Sequence, residues 1–362
     1  MKIPFCQPLV RRSYASAVRS QVLSGWMGPG LVTEKYSQEI RKYVSAPYCV
    51  CTTSGTIALS VAAIALGLKP GDEILVPSYG VISTINAFAS IGLRPRLVEI
   101  DRDTGCMSPR ALSANIRPST RAVCFVDFSG YAGPSLQQSV AICAKRGIPL
   151  IEDAACAFGN YFKGVAAGTF GTIGTYSFSV PKIITTGQGG CLVTRSRACY
   201  QKVLRYIDHG DVNWRKTNKV RTVGTNLRYN DILAAAGLAQ LKDMSSRLAR
   251  KKCIYGVLCE ELGENIYRLP EDVPPLFYIV FARERSRLVR YLRSRGIDAV
   301  CQYRTICEHP AYLSLRKDVY PNSDFWTRHA VYLPFGLSLQ RNDMFQIARA
   351  VLNSGVELLN VR

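Results

Sequence analysis

Four short stretches hold residue types whose neighbours could make them reactive. Thr53-Ser54-Gly55-Thr56 sets three hydroxyls and a glycine between a strand-like and a helix-like run. Hydroxyls and unpaired backbone N–H groups at a helix N-terminus attract an anion, phosphate above all, although the same residues also serve as a plain helix cap. Ile151-Glu152-Asp153-Ala154-Ala155 ends an apolar run with two carboxylates. Such acids either sit in solvent or point into a site beyond the strand. If the ligand there is a pyridinium ring, a buried aspartate keeps its nitrogen protonated and makes the ring an electron sink. Ser177 to Lys182 is followed by the glycine-rich Thr185-Thr186-Gly187-Gln188-Gly189-Gly190, and the nearest preceding lysine is Lys163. A loop lysine is ordinarily a surface charge, but a desolvated one sheds its proton and attacks carbonyl carbon. The fourth stretch is Gly224-Thr225-Asn226-Leu227-Arg228.

The elements that must position these residues follow from hydrophobic periodicity and turn chemistry. Strands are predicted at Tyr48–Thr52, Glu73–Val76, Arg96–Ile100, Ala122–Val126 and Pro149–Ile151. Helices are predicted between them at Gly55–Leu68, Ser83–Ile91, Pro109–Ile116 and Leu136–Arg146. This order gives a largely parallel sheet covered on both faces, with ligands beyond the carboxyl ends of its strands. Thr175–Phe178 and Cys191–Thr194 read as strands around the loop holding Lys182. One long helix, capped by Asn230, is expected over Asp231–Cys259. A strand-helix-strand unit follows at Leu276–Ala282, Arg285–Arg295 and Ala299–Tyr303, with a last helix over Arg341–Asn353. The expected division is a large domain over 1–245 and a smaller α/β domain over 246–362.

At 362 residues, 48% of them hydrophobic and 20% charged, the composition is that of a globular protein. Of the 13 cysteines, Cys49, Cys51, Cys124, Cys156 and Cys191 lie in or beside apolar runs; the set includes no CxxC pair of metal spacing and fits free thiols in a reducing cytoplasm. No metal site is expected. The start of the chain lacks the apolar core of a signal peptide. The longest apolar stretch, Thr56–Leu68, falls short of the ~20 residues that span a bilayer. Lys and Arg number 46 against 26 acids, a net charge of +20. That balance suits nucleic acid, an anionic membrane surface or phosphorylated small ligands. The basic residues are scattered, with neither recognition-helix clustering nor aromatic interleaving, which disfavours nucleic acid. A basic protein keeping the fold without the chemistry is the alternative from another functional class.

Taken in order, Ser54-Gly55-Thr56, Gly71-Asp72-Glu73-Ile74-Leu75-Val76-Pro77-Ser78, Glu152-Asp153-Ala154-Ala155, Ser177-Phe178 with Lys182, Thr185-Thr186-Gly187 and Asn226 with Arg228 make an ensemble far more specific than its pieces. It resembles the DegT/DnrJ/EryC1/StrS family of sugar aminotransferases over nearly the whole chain. The resemblance implies the pyridoxal-phosphate-dependent type I fold of aspartate aminotransferase. That fold has a mostly parallel, seven-stranded-type α/β sheet with helices on both faces, plus a smaller C-terminal domain. It implies pyridoxal 5'-phosphate as cofactor and Lys182 as the residue whose amine holds it and then moves protons. Asp153 would pair with the pyridine nitrogen, and Ser54, Gly55, Thr56 and Ser177 would bind the phosphate. Tyr79 and Cys156 would lie against the ring. Asn226 would reach the phosphate of a neighbouring subunit's cofactor, implying a homodimer with shared active sites to which residues 1–30 contribute. Arg228, Tyr303 and His309 would contact substrate. The reaction would pass an amino group from glutamate to a nucleotide-linked keto sugar for polysaccharide or antibiotic sugar biosynthesis.

The chain departs from the family pattern in several places. Cys156 stands for a usual Gln or His, Val81 for an aromatic, Asp127 for a His, Gln188 for a Glu, Leu227 for a Tyr and Cys307 for a sugar-contacting His. Ser83-Thr84-Ile85-Asn86 resembles members acting at C4 of 4-keto-6-deoxy sugars more than those acting at C3. Related dehydratases carry His in place of the lysine, so Lys182 favours amino transfer over that alternative.

Overall fold

The structure, a computed structural model, describes residues 2–270, 273–316 and 318–360. The first part of the chain supplies strands β1 (Tyr48–Thr52), β2 (Glu73–Pro77), β3 (Tyr79–Gly80), β4 (Arg94–Val98), β5 (Thr120–Val126) and β6 (Leu150–Asp153). The short hairpin β7 (Tyr161–Phe162) and β8 (Val165–Ala166) precedes β9 (Ile173–Ser177) and β10 (Gly190–Thr194). Seven strands form one sheet in the order β1-β10-β9-β6-β5-β2-β4. Only β10 opposes the others, being antiparallel to both β1 and β9. The seven-stranded, mostly parallel expectation therefore holds.

Its strands are apolar on both faces because both faces are covered. Cys49, Cys51, Leu75, Val123 and Phe125 enter one core, while Val50, Ile74, Val76, Ala122 and Cys124 enter another on the opposite face. Helices α1 (Arg12–Leu23) and α2 (Leu31–Tyr43), which the periodicity did not announce, pack with α9 (Asp231–Leu241). Between them in sequence come α3 (Gly55–Ala65), α4 (Ile82–Ala89), α5 (Pro109–Asn115), α6 (Pro134–Lys145), α7 (Arg197–Ile207) and the single turn α8 (Trp214–Thr217).

The single helix expected over Asp231–Cys259 is two: α9 ends at Leu241 and α10 runs Met244–Leu262. Nothing local breaks it. Asp243 stands at the break, its carboxylate accepting hydrogen bonds from Arg11 (2.9 Å) and Tyr14 (2.7 Å) at the start of α1, so a tertiary contact meets the chain where the two helices part.

After α10 come β11 (Tyr278–Ala282), α11 (Arg285–Ser294), β12 (Arg304–Thr305), α12 (Pro321–His329), β13 (Ala330–Leu333), α13 (Arg341–Leu352) and β14 (Leu358–Leu359). A small antiparallel sheet runs β13-β11-β14. The strand expected at Ala299–Tyr303 is not formed. The segment makes one bridge, Val300 to Tyr332, and the Tyr303 N–H then donates to the Tyr79 hydroxyl at 2.9 Å rather than to a strand. Backbone pairings join this region to the rest. β12 pairs with β3, and the N-terminal segment bridges Ile3 to Ile297 and Cys6 to Phe335. One continuous apolar core runs from Ile3 to Val356.

Candidate active site

The carboxyl ends of β1, β5, β6 and β9, with the start of the reversed β10, surround a cavity of about 430 Å³. Ser54 caps α3 there, its hydroxyl accepting from Ile57 N–H at 3.1 Å, which leaves the N–H groups of the first turn directed at the cavity mouth. Gly55 is required by close approach: a Cβ on it would lie 2.9 Å from Ser177 Cβ. Ser54, Gly55, Thr56, Ser177 and Ser179 therefore form a tight hydroxylated cradle on one side of the cavity.

Successive residues of a strand face opposite ways, and this separates the two acids of β6. Glu152 points away and accepts backbone N–H bonds from Gly168, Phe170 (2.7 Å) and Gly171 (2.8 Å), fastening that turn. Asp153 points into the cavity, where Thr84 Oγ1 donates to it at 2.8 Å and Ala155 N–H at 3.1 Å. Burial pushes its carboxyl above the ordinary range, opposed by those two hydrogen bonds and by the Lys182 charge. Asp127, wholly buried with neither oxygen hydrogen-bonded, is pushed up further by burial and by Glu152 beside it. Lys182 projects from the loop between β9 and β10, held by its N–H bond to Ser179 O, and its Nζ donates to Cys156 Sγ at 3.2 Å.

The structure thus gathers Ser54, Gly55, Thr56, Asp153, Cys156, Ser177, Lys182 and Tyr303 around one space. It does not bring Tyr79 there. That ring is 1% exposed, packed on Phe128 and Trp326, with its hydroxyl bonded to Tyr332; Val81 lines the cavity instead. Asn226 and Arg228 lie outside the cavity. Arg228 bridges Thr52, pairs with Asp208 at 3.2 Å and donates to Asn226 at 3.0 Å, and it borders a separate cleft of about 850 Å³ beside α2 and β1. His309 sits in the turn after β12, its N–H bonded to Ile306 O, and does not line the cavity.

Residues the spacing did not disclose complete the wall. Phe5 and Cys6 arrive from the N-terminal segment, and Phe277, Gln302 and Phe335 from the C-terminal region. Thr84 stands in the sequence within a helical run and the Ser83-Thr84-Ile85-Asn86 stretch, with no cofactor role assigned; a hydroxyl two residues into a helix facing a strand-end acid is the signal that points to it. The cavity has the donor set for a phosphorylated pyridine aldehyde: an anion cradle, a buried carboxylate with lone pairs to spare, and an amine. Among the described residues no helix is long and apolar enough to cross a membrane.

The DegT/DnrJ/EryC1/StrS aminotransferase family matches residues 10–352. The chain is 29% identical over 358 residues to the GDP-perosamine synthase of Escherichia coli O157:H7, covering 96% of this chain and 97% of that one. The crystal structure of the aminotransferase TlmJ from Streptoalloteichus hindustanus superposes with a TM-score of 0.90 at 26% identity, over 97% of this chain and 98% of that one. A Streptococcus pneumoniae protein described as a sugar aminotransferase, in its PLP-form, shares the fold with a TM-score of 0.91 at 23% identity, over 98% of each chain. With the match running through every cavity-lining stretch from Ser54 to Tyr303, the chain belongs to the DegT/DnrJ/EryC1/StrS aminotransferase family.

Proposed function

We propose that this chain is a pyridoxal-phosphate-dependent aminotransferase that moves an amino group from glutamate to a GDP-linked keto sugar, of the 4-keto-6-deoxy type. The observation that carries the reading is the convergence of the Lys182 amine, the Asp153 carboxylate and the cradle at the start of α3 on one cavity. The E. coli relative, by its name, yields a GDP-linked amino sugar, which supports the nucleotide. Bound in this space, pyridoxal 5'-phosphate supplies a carbonyl for amine exchange and a ring that accepts electrons. Ser54, Gly55, Thr56 and Ser177 would hold its phosphate against the helix N-terminus. Asp153, whose charge burial disfavours, would be stabilised by the ring's protonated nitrogen, with Thr84 and Ala155 N–H fixing its plane. Val81 and Cys156 would lie beside the ring. Lys182 Nζ would take up and return the proton that moves in the exchange.

Tyr303 and Gln302 meet the sugar at the opening. Asn226 and Arg228, outside their own cavity, act across a homodimer, as does the N-terminal segment near Gly28, beside the same cleft. His309 contacts the nucleotide side rather than the reacting carbon. The reading includes a cytoplasmic location, consistent with cysteines that form no disulfide among the described residues, and a domain division near residue 245, at the start of α10.

The test is an absorption titration of the purified chain with pyridoxal 5'-phosphate, then glutamate, beside Lys182→Ala. Conversion of the aldehyde form to the amine form by glutamate, and its reversal by a GDP-linked 4-keto-6-deoxy sugar, is the expected result. A chain that binds the cofactor and ignores GDP-linked sugars while accepting another nucleotide's would move the substrate. A chain that binds no cofactor would overturn the reading.

A further inference from the structure

We propose that Cys156 and Lys182 form a redox modification site: a peroxide oxidises the thiol, and the lysine nitrogen closes on it as a reversible sulfenamide that blocks the amine. The two side chains meet at 3.2 Å inside the cavity, and both ends are fixed. Cys156 sits in the turn closed by Ala157 N–H to Ala154 O, and Lys182 in one closed by its own N–H to Ser179 O. Neither needs to move far to bond. The thiol is half-buried but opens to a cavity that admits a small oxidant. Among the described residues no other cysteine has a hydrogen bond to a lysine amine within such a cavity.

A second observation comes from behind the loop. Lys251 of α10 is 6% exposed, and with Arg247, Cys6 and Lys182 it lines a smaller space adjoining the cavity. Its charge acts on Cys156, and burial pushes its own amine down to about 8. Two lysine side chains, Lys182 and Lys251, thus interact with one thiol that opens to the cavity. The acidic groups bearing on it are Asp127, pushed up by its burial, and the Tyr303 phenol. Cys6 interacts with Lys182 from the N-terminal segment.

The chemistry balances as follows for hydrogen peroxide. The Cys156 sulfur gives two electrons to the O–O bond, becoming sulfenic acid while one oxygen leaves as water. The Lys182 nitrogen, as free amine, attacks the sulfur; the N–S bond forms, the S–O bond breaks, and hydroxide leaves as water with the nitrogen's proton. Two equivalents of a small thiol return thiol and amine, ending as its disulfide. A carbonyl cofactor on Lys182 engages the nitrogen and protects it, a consequence that rests on the proposed function.

The experiment treats the full chain, with and without pyridoxal 5'-phosphate, with hydrogen peroxide and maps the unreduced peptides by mass spectrometry. The expected product without cofactor is a joined pair of peptides carrying residues 156 and 182, lighter by two hydrogens than their sum and separated by dithiothreitol. It should be absent from Cys156→Ser and Lys182→Arg and retained in Cys6→Ser. Borohydride-trapped pyridoxyl label on Lys182 should be lost after oxidation and return with dithiothreitol. Recovery of Cys156 as sulfinic acid, or as a disulfide to Cys6, with Lys182 free would overturn the proposal. If Lys182 never takes the label but the joined peptides form, the cofactor reading fails and the modification site stands.

Discussion

Two walls enclose the cavity, and they are built by different means. One wall is the carboxyl edge of the large sheet, where Ser54 caps α3, Asp153 and Ser177 end β6 and β9, and Lys182 stands in the loop between β9 and β10. Each is placed by backbone hydrogen bonds of a strand, a helix cap or a tight turn, so its position follows from the ladder. The facing wall is a stack of aromatic side chains from distant parts of the chain. Phe5 meets Phe335 edge-on at 5.2 Å, Phe335 meets Phe277 at 5.3 Å, and Phe277 meets Tyr303 at 5.9 Å. Those rings hold one another by area and edge-to-face contact rather than by a ladder. The polar wall carries groups able to bind an anion and move protons. Of the four aromatic rings only Tyr303 bears a polar group, and that wall chiefly shapes what is admitted. Chemistry and selectivity are therefore separable here, and substitutions can be chosen to separate them.

The largest effect should come from the polar wall. Lys182→Ala is expected to lower amino transfer by roughly 10⁴-fold, the upper range for a lost acid–base group, while the melting temperature stays close to the parent's; stopped-flow single turnovers beside a thermal melt would show it. A large loss of stability instead would mean that the lysine holds the loop rather than serving chemistry.

On the opposite wall, Phe277→Ala should cost about 4 kcal/mol of stability, since the ring is 3% exposed and touches four others. Cofactor affinity in the folded fraction should hardly change, as read by urea melts and a pyridoxal 5'-phosphate titration. Equal damage to both would merge the two walls into one.

Asp153→Asn should slow turnover roughly 30-fold, about 2 kcal/mol for a charged hydrogen-bond partner lost in the transition state. Without cofactor it should behave in the opposite sense. The folded pKa of Asp153 is raised, so its ionised form destabilises the fold once pH passes the ordinary carboxylate value. The substitution should therefore stabilise the cofactor-free chain at neutral pH and leave it unchanged at pH ~3. Melting curves at the two pH values, with and without cofactor, test both signs.

The smallest effect lies behind the polar wall. Lys251 has a folded pKa lowered to about 8, so the unfolded chain binds more protons between about 8 and its ordinary value near ~10.4. Stability from this residue is missing below pH 8 and is regained as pH rises through that window. Lys251→Met should raise stability at pH 7 by about 1–2 kcal/mol, with the gain shrinking toward pH 10. A gain independent of pH would show that packing, not the buried charge, is responsible.

Much of the polar wall was legible before any coordinates. A strand ending in hydroxyls before a helix, a strand ending in acids and a lysine before a glycine turn are local patterns, and local backbone geometry converts each into a position at a sheet edge. Six of the residues named for the cofactor, Ser54, Gly55, Thr56, Asp153, Ser177 and Lys182, share the cavity with Cys156. Tyr79 was misjudged because its neighbour's loop turns at Gly80, which sends the ring into the core against Trp326 and leaves Val81 at the cavity. The break between α9 and α10 was invisible, and the contact that meets it, Arg11 and Tyr14 gripping Asp243, spans 229 or more residues of sequence.

By itself the sequence determined the alternation of strands and helices and the parallel sheet, since these rest on periodicity and on contacts a few residues apart, and its ordered motifs carried the resemblance to the family. Only the tertiary structure decided which of two adjacent acids faces the cavity. It alone gave Cys156 to Lys182 as a partner, and it alone made Phe5, Phe277 and Phe335 into a wall. Those choices depend on the direction of a pleat within a particular sheet and on side chains brought together from opposite ends of the chain, and no local spacing encodes either.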